Sequence, residues 1–158
     1  MLASLAVCVT AACAPTTKME QVPQSLFLYE AYDETRDVVT DIEQAIAQAN
    51  GRHILMEVGG SWCPFCRQLE EYIQSEPQVH DALAQSFILV KVDEKRNPDN
   101  KAFLRANFPK PAGYPHFFVL DSDGNFLHSQ IPTELKRDRV FQRDKFLQFA
   151  ERWGPSNP

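Results

Sequence analysis

Two cysteines, Cys63 and Cys66, are separated by two residues in the stretch GGSWCPFCRQLEE, residues 59–71. A pair at this spacing can exchange disulfides with another molecule, supply half of a metal site, or pack as two inert thiols in a core. A zinc site needs further ligands at metal spacing, and the sequence contains no second C-x-x-C. The histidines are scattered along the chain, at His53, His80, His116 and His128. Redox chemistry is therefore the favoured interpretation, and we predict neither a metal site nor a cofactor.

The residues around the pair predict a strand, a short loop and a helix. HILMEV, residues 53–58, has the apolar character of a buried strand, and Pro64 is typical of the first turn of a helix. Cys63 would then lie beside the unpaired N–H groups at the start of that helix, which stabilise a thiolate. Cys66 would lie one turn later, where a second thiol can resolve a mixed disulfide. The predicted apolar face of this helix consists of Phe65, Leu69, Tyr72 and Ile73.

The remainder of the chain predicts strands separated by helices. Helices are expected over 37–50, from Pro77 onwards, after a cap at Asn97 and over 137–153, and a second buried strand is expected over 87–92. Residues 116–130 predict a hairpin with Asp-Gly at its turn. This order of elements indicates an α/β domain of three layers.

Length and composition are those of one ordinary globular domain. Of the 158 residues, 44% are hydrophobic and 23% are charged, which is enough apolar material to form a core. The formal net charge of −5 argues against nucleic acid or an anionic membrane surface as a partner, because both attract clustered Lys and Arg. The sequence has no apolar run of about 18 residues that would predict a membrane-spanning helix.

The N-terminal residues differ from the rest, because no charge precedes Lys18. The apolar run from Leu2 to Ala12 ends in small residues and is typical of a secretory signal. The stretch TAAC resembles the lipobox of bacterial lipoproteins and predicts a lipid on Cys13. The alternatives are plain cleavage after Ala14, and a buried or disordered N-terminal helix.

These features divide the chain into three parts, a signal peptide over 1–13, a tether over 14–32 and a domain over 33–158. We predict export to the periplasm, with membrane contact only through a lipid on Cys13. The mature domain then keeps only Cys63 and Cys66. A bridge that closes so short a loop stabilises a fold little, so stability is a poor reason for the pair to exist.

Two motifs taken together give the chain a family resemblance. They are SWCPFC after a buried strand and GYPHFFVLDSDG before the hairpin. With them, residues 37–153 resemble the thioredoxin superfamily. The region after FILVKVDEK is also similar to exported thioredoxin-like proteins related to the C-terminal domain of the transmembrane thiol:disulfide interchange protein. The resemblance implies the thioredoxin fold, a three-layer α/β/α architecture with a central mixed sheet.

Four residues take their expected roles from this resemblance. Cys63 matches the attacking cysteine and Cys66 the resolving one, with a redox-active disulfide between them in the oxidised state. Pro115 matches the cis-proline that faces the active site, and an ordinary loop proline is the alternative. Glu57 matches the buried acid beneath the pair. Burial would raise the pKa of its carboxyl and suit it to take the proton of Cys66. The alternative is a glutamate of an edge strand that faces water.

Three further residues are expected to act around the pair as part of a substrate-binding surface. The backbone of Tyr114, turned outward by the cis bond, would pair with an extended substrate strand. Trp62 would shield the disulfide and offer a flat apolar contact, or alternatively pack in the core. His116 would tune the thiolate electrostatically, or alternatively lie at the surface.

The resemblance implies a thiol–disulfide oxidoreductase that acts on protein disulfides or dithiols. The dipeptide between the cysteines is Pro-Phe, where thioredoxin has Gly-Pro, and this departure leaves the direction of electron flow open. We expect the reducing direction, with a membrane electron donor that restores the dithiol because the periplasm is oxidising. The alternatives are a disulfide oxidant or isomerase, and a non-enzymatic C-x-x-C module that binds copper or another soft metal.

Overall fold

The computed structural model describes residues 24–155. The predicted signal peptide, Cys13 and the first part of the predicted tether lie outside the described residues. Within 24–155 the regular elements, in chain order, are α1 Val38–Gln48, β1 His53–Gly59, α2 Pro64–Ser75, α3 Pro77–Ser86, β2 Phe87–Asp93, α4 Pro98–Asn107, β3 His116–Leu120, β4 Phe126–Gln130, β5 Lys136–Arg137, β6 Val140–Phe141 and α5 Arg143–Trp153. None of these helices is long and apolar enough to cross a membrane.

β1 lies in the interior of a four-stranded mixed sheet of order β2-β1-β3-β4. It runs parallel to β2, with Glu57 opposite Lys91, and antiparallel to β3. β3 and β4 form the predicted hairpin, and Gly124 in its turn has a φ of 87°, which only glycine adopts without strain. The strand that leads to the cysteine pair therefore has a neighbour along each edge.

Alternate residues of the sheet point into two separate cores, as the geometry of a strand requires. Leu55 and Phe117 lie in the core that also contains apolar residues of α2, α3 and α5. Met56 and Phe118 lie in the core that contains residues of α1 and α4. The sheet is thus covered by helices on both faces, and the predicted three-layer α/β/α architecture is confirmed.

Part of the segment assigned to the tether packs on the free edge of β2. Leu26 and Phe27 are buried. The Leu28 amide donates to the carbonyl of Leu89 at 2.9 Å, and the Leu89 amide donates to the carbonyl of Leu26 at 2.7 Å. Within residues 24–155, Leu26 and Phe27 therefore already pack against the domain, although the sequence analysis placed them in the tether, before residue 33.

The last helix is shorter than predicted. α5 begins at Arg143, whereas the sequence pattern predicted a start near Arg137. The preceding residues form a 3₁₀ turn, Pro132–Leu135, and the small hairpin of β5 and β6. Asp138 and Arg139, at the turn of that hairpin, have φ of 50° and 66°, so the backbone there cannot continue as a helix.

The buried face of α2 consists of Cys66, Leu69 and Ile73, whereas the Phe65 side chain is 58% exposed. The prediction that Phe65 belongs to the apolar face is therefore wrong. Neighbouring residues of a helix point about 100° apart, and the packing turns Cys66 toward the sheet. Phe65 is left as exposed aromatic surface between the two cysteines.

Asn100 in α4 ties three segments together from a buried position. It is 2% exposed. Its Oδ1 accepts from the Val38 amide at 2.9 Å, and its Nδ2 donates to the carbonyls of Arg36 at 3.1 Å and Asp93 at 3.2 Å. One side chain thereby connects the starts of α1 and α4 with the end of β2.

We expect Asn100→Ala to lower the free energy of unfolding by about 2–4 kcal/mol. The reason is that the substitution leaves an amide and two carbonyls without their partner in a largely buried place. Denaturant unfolding followed by circular dichroism measures this change. The control is Asn107→Ala, because Asn107 is exposed and bonds only to the carbonyl of Phe103 in its own helix. Equal stability of the two variants would contradict the role given to Asn100.

Candidate active site

The two cysteines lie at the start of α2, where Cys63 is the N-cap residue. The Cys63 sulfur accepts a hydrogen bond from the Cys66 amide at 3.2 Å. Both residues are free thiols, with exposures of 3% for Cys63 and 1% for Cys66. The geometry therefore places the Cys63 sulfur against the first turn of the helix, with an amide of that turn bonded to it.

Two glycines let the loop before the cysteines pack tightly. A side-chain carbon at Gly59 would lie 2.5 Å from the Cys66 sulfur, and one at Gly60 would lie 2.1 Å from Nε1 of Trp62. Both distances are too short for any Cβ, so neither position accepts a larger residue without movement. The Gly-Gly pair allows the first turn of α2 and the Trp62 indole to lie against the end of β1.

Glu57 is buried in the centre of the sheet, with an exposure of 1%. Its Oε1 has no hydrogen-bond partner within residues 24–155. Burial raises the pKa of this carboxyl to about 7, although the nearby Tyr32 hydroxyl and then the positive charge of Lys91 act in the opposite direction. A water-facing glutamate on an edge strand, the alternative considered from the sequence, does not fit this position.

The Cys66 thiol is the second ionisable group of the buried site. Burial raises its pKa, the neighbouring Cys63 adds to the effect, and the Glu57 charge contributes further. Glu57 and Gly59 share one face of β1, and Gly59 is the residue that the Cys66 sulfur approaches. A thiol whose pKa is raised loses its proton near neutral pH only when a nearby base accepts it. A carboxyl group with a pKa near neutrality can serve as that base.

Lys91 and Glu70 complete the charges around Glu57, and the sequence analysis did not identify them. Lys91 lies opposite Glu57 in the register of β1 and β2 and is 6% exposed. Its Nζ donates to Glu70 Oε1 at 2.6 Å and to the carbonyl of Glu30. A lysine within the apolar run FILVKV is a signal that could have revealed this site, because a charge in a buried strand needs a partner.

Trp62, Tyr114 and Pro115 form the rim of the site. The Trp62 and Tyr114 rings meet edge to face, with centroids 5.3 Å apart, which joins the loop of the cysteines to the loop before β3. The Trp62 indole donates to Asp93 Oδ1 at 3.2 Å. The Tyr114 hydroxyl donates to Glu94, and burial together with this contact raises the pKa of Tyr114 to about 12. The Tyr114–Pro115 peptide bond is cis, as the resemblance predicted.

His116 does not join this rim. Its ring packs on Phe118 with centroids 4.8 Å apart, and its Nε2 lies 2.8 Å from the hydroxyl of Ser129. The alternation of β3 puts His116 on the same side of the sheet as Phe118, the face covered by α1 and α4. Burial lowers the pKa of this imidazole. The alternative of a surface residue is therefore wrong, because His116 is 2% exposed. The expected electrostatic effect of His116 on the thiolate stays a prediction.

The fold and the cysteine pair at a helix start define a protein of the thioredoxin type. Residues 37–122 match the family model described as Thioredoxin-like. The chain therefore belongs to the thioredoxin-like family of thiol:disulfide oxidoreductases.

Relatives and solved structures agree with this assignment. The thiol:disulfide interchange proteins DsbD of Klebsiella pneumoniae and Escherichia coli are each 35% identical to the chain, over 87 and 86 residues. These matches cover 54% of this chain but only 14% and 15% of the relatives' own lengths.

Two crystal structures share the fold. One is a disulphide isomerase from Xylella fastidiosa, with 27% identity and a TM-score of 0.63 over 79% of this chain and 97% of that one. The other is the C-terminal domain of Neisseria meningitidis DsbD in the oxidised form, with 21% identity and a TM-score of 0.53 over 73% of this chain and 92% of that one. The second likeness shows the fold alone.

In the wild type, the free energy of unfolding should fall as the pH rises and Glu57 ionises in the unfolded chain. We expect this fall to be absent in Glu57→Gln. The pKa of Glu57 moves from 4.5 in the unfolded chain to about 7 in the fold. Below the lower value both states are protonated. Between the two values only the unfolded state ionises, so the folded state becomes less stable by about 3 kcal/mol and stays so above the higher value.

Denaturant unfolding at about pH 5 and about pH 8 measures this difference between wild type and variant. The control is Glu71→Gln, an exposed glutamate on α2, which should leave the pH dependence as it is. A Glu57→Gln profile parallel to that of the wild type would contradict the buried, protonated state of Glu57.

Proposed function

We propose that this protein reduces disulfides of other proteins by thiol–disulfide exchange at Cys63 and Cys66. One observation carries the proposal. The Cys63 sulfur caps α2 and accepts a hydrogen bond from the Cys66 amide. The Cys66 side chain is buried on the face of the sheet that also carries Glu57, whose pKa is about 7. The arrangement supports one activated sulfur and one sulfur that must first lose a proton.

The first step is the attack of the Cys63 thiolate on one sulfur of a substrate disulfide. The substrate S–S bond breaks, its far sulfur leaves as a thiolate that takes up a proton, and a mixed disulfide joins Cys63 to the substrate. The bonded helix amide favours the attacking thiolate.

In the second step the Cys66 thiol gives its proton to Glu57 and attacks the Cys63 sulfur. The mixed disulfide breaks, the second substrate sulfur leaves as a thiol after protonation, and a Cys63–Cys66 disulfide forms. Two electrons have then passed from the pair to the substrate. The raised pKa of the Cys66 thiol is the reason that a base is needed for this step.

The substrate would dock on the rim made by Trp62, Tyr114 and Pro115, with Phe65 as an additional aromatic contact. Phe65 and Tyr114 are 58% and 37% exposed, which is unusual for large aromatic side chains. The edge-to-face contact of the Tyr114 and Trp62 rings connects this surface to the residue that precedes Cys63. An extended peptide segment that carries a disulfide, in an unfolded protein or in a surface loop, suits such an aromatic rim.

We place the protein in the periplasm, with its dithiol restored by a membrane electron donor. The predicted signal peptide and the predicted lipid on Cys13 favour this location, and the similarity to parts of interchange proteins supports a redox partner of that kind. An oxidising compartment would otherwise leave the pair as a disulfide.

Insulin reduction with dithiothreitol as electron source tests the activity, and equilibration of the pair with glutathione tests its direction. A potential well below that of the glutathione pool is expected for a reductant. A potential near that of strong oxidants would make the protein an oxidant or isomerase. Stoichiometric copper without insulin reduction would make it a metal-binding module.

We expect Cys66→Ala to accumulate mixed disulfides and Cys63→Ala to accumulate almost none. Without Cys66 the first step proceeds and the second cannot, whereas without Cys63 the buried Cys66 has no helix amide to activate it. Non-reducing gels followed by mass spectrometry measure the trapped partners, in chains where Cys8 and Cys13 are replaced by Ala. Equal trapping by the two variants, or trapping through Cys66, would reverse the assigned roles.

We expect Cys13→Ala to release the protein from membranes and to remove an acyl mass from the mature chain. Buried acyl chains contribute about 0.8 kcal/mol per CH₂ group, whereas a net charge of −5 gives the chain no attraction of its own to an anionic bilayer. Fractionation and intact-mass measurement of wild type and variant test this, with Cys8→Ala as the matched control. A wild-type mature chain that begins after Cys13 would contradict the lipid anchor and leave the redox proposal untouched.

A further inference from the structure

Tyr32 is brought beneath the cysteine pair by the segment that runs along the edge of β2. It precedes α1 and lies before residues 37–122, the part of the chain that matches the family model. A side-chain carbon at Gly59 would lie 2.5 Å from the Cys66 sulfur and 2.9 Å from the Tyr32 hydroxyl oxygen. The hydroxyl and the sulfur therefore flank the same point at the end of β1.

The Tyr32 hydroxyl is a buried polar group without a hydrogen-bond partner within residues 24–155. Oε1 of Glu57, on the same face of β1 as Gly59, is another. Buried polar groups of folded proteins are normally paired, and each exception calls for an explanation. Both groups lie near the Cys66 sulfur and are free to bond to it or to each other.

The charged groups around this hydroxyl come from three elements. Glu57 belongs to β1, Cys66 and Glu70 belong to α2, and Lys91 belongs to β2, with its Nζ 5.6 Å from the centroid of the Tyr32 ring. The Lys91 ammonium group donates hydrogen bonds to Glu70 and to the carbonyl of Glu30. Burial first, and then the neighbouring Glu57 and Cys66, raise the pKa of Tyr32, so its hydroxyl keeps its proton at neutral pH.

We propose that Tyr32 is a catalytic residue of the resolving step, whose hydroxyl bridges the Cys66 sulfur and the Glu57 carboxylate. The inference rests on the proposed function. As Cys66 loses its proton to the Tyr32 oxygen, Tyr32 passes its own proton to Glu57. One proton leaves the thiol, one reaches the carboxylate, and Tyr32 ends unchanged. The protonated Glu57 then donates to Tyr32, and Tyr32 donates to the new thiolate until that thiolate attacks Cys63.

Tyr32→Phe tests this role, because it removes the hydroxyl and keeps the ring. The full chain is used with Cys8 and Cys13 replaced by Ala, and the probe is the aromatic disulfide dithiobis(nitrobenzoate). Attack by Cys63 releases one coloured thiol at a rate that depends on the probe concentration. Resolution by Cys66 releases a second at a rate that does not. Stopped-flow absorbance at a series of pH values from about 6 to about 9 separates the two.

In Tyr32→Phe we expect resolution at neutral pH to be roughly 10–100-fold slower, the effect of one lost hydrogen bond to an ionised group. The wild-type rate should level off above the pKa of Glu57, whereas the variant rate should keep rising with pH because hydroxide replaces the missing bridge. Attack by Cys63 and the free energy of unfolding should not fall. The matched control is Tyr29→Phe, whose exposed hydroxyl bonds to Gln44, and it should behave as wild type.

A Tyr32→Phe variant with the wild-type pH profile of resolution would overturn the bridge. Equal slowing of attack and resolution would overturn it too, because it would indicate a purely structural role. A wild-type chain that never releases the second thiol would instead overturn the proposed function, independently of Tyr32.

Discussion

The approach of the Cys66 sulfur to the end of β1 is the constraint on which the rest of the site depends. Only a residue without a side chain fits at Gly59, where a Cβ would lie 2.5 Å from that sulfur. The contact fixes the first turn of α2 against the sheet, and in that orientation the Cys66 amide points at the Cys63 sulfur. Because side chains alternate along a strand, the same contact puts Glu57 on the face that the sulfur meets.

The site concentrates ionisable groups that a purely structural core would exclude. Glu57 and Lys91 are 1% and 6% exposed, and burial of such groups lowers stability unless they are paired. Lys91 has Glu70 as its partner, whereas Glu57 keeps an unpaired oxygen. The uncompensated group is the one whose pKa lies near neutrality. The free energy of unfolding is thus lowered at the group to which we assign the proton transfer, and perturbed pKa values of this kind are common at functional sites.

The sequence by itself determined the features that depend on neighbours along the chain. Apolar runs and helix-start signals located β1, α2 and the hairpin of β3 and β4, since these patterns reflect local geometry. The position of Cys63 at the helix start follows from the same local order, strand then Gly-Gly then Pro64. Glu57 required the family resemblance in addition, because a glutamate in a strand has the same local pattern whether it faces water or a core.

Only the tertiary structure decided which distant residues surround the pair. Tyr32 and Lys91 reach it because the N-terminal segment pairs with β2 and β2 pairs with β1, and no spacing in the sequence encodes either register. The same packing turned Phe65 outward and put His116 on the opposite face of the sheet. A local pattern states how often a side chain points inward, but it does not state what lies there. The residues that surround a side chain depend on which strands become neighbours. The order of the strands is in turn set by the need to bury both faces of the sheet.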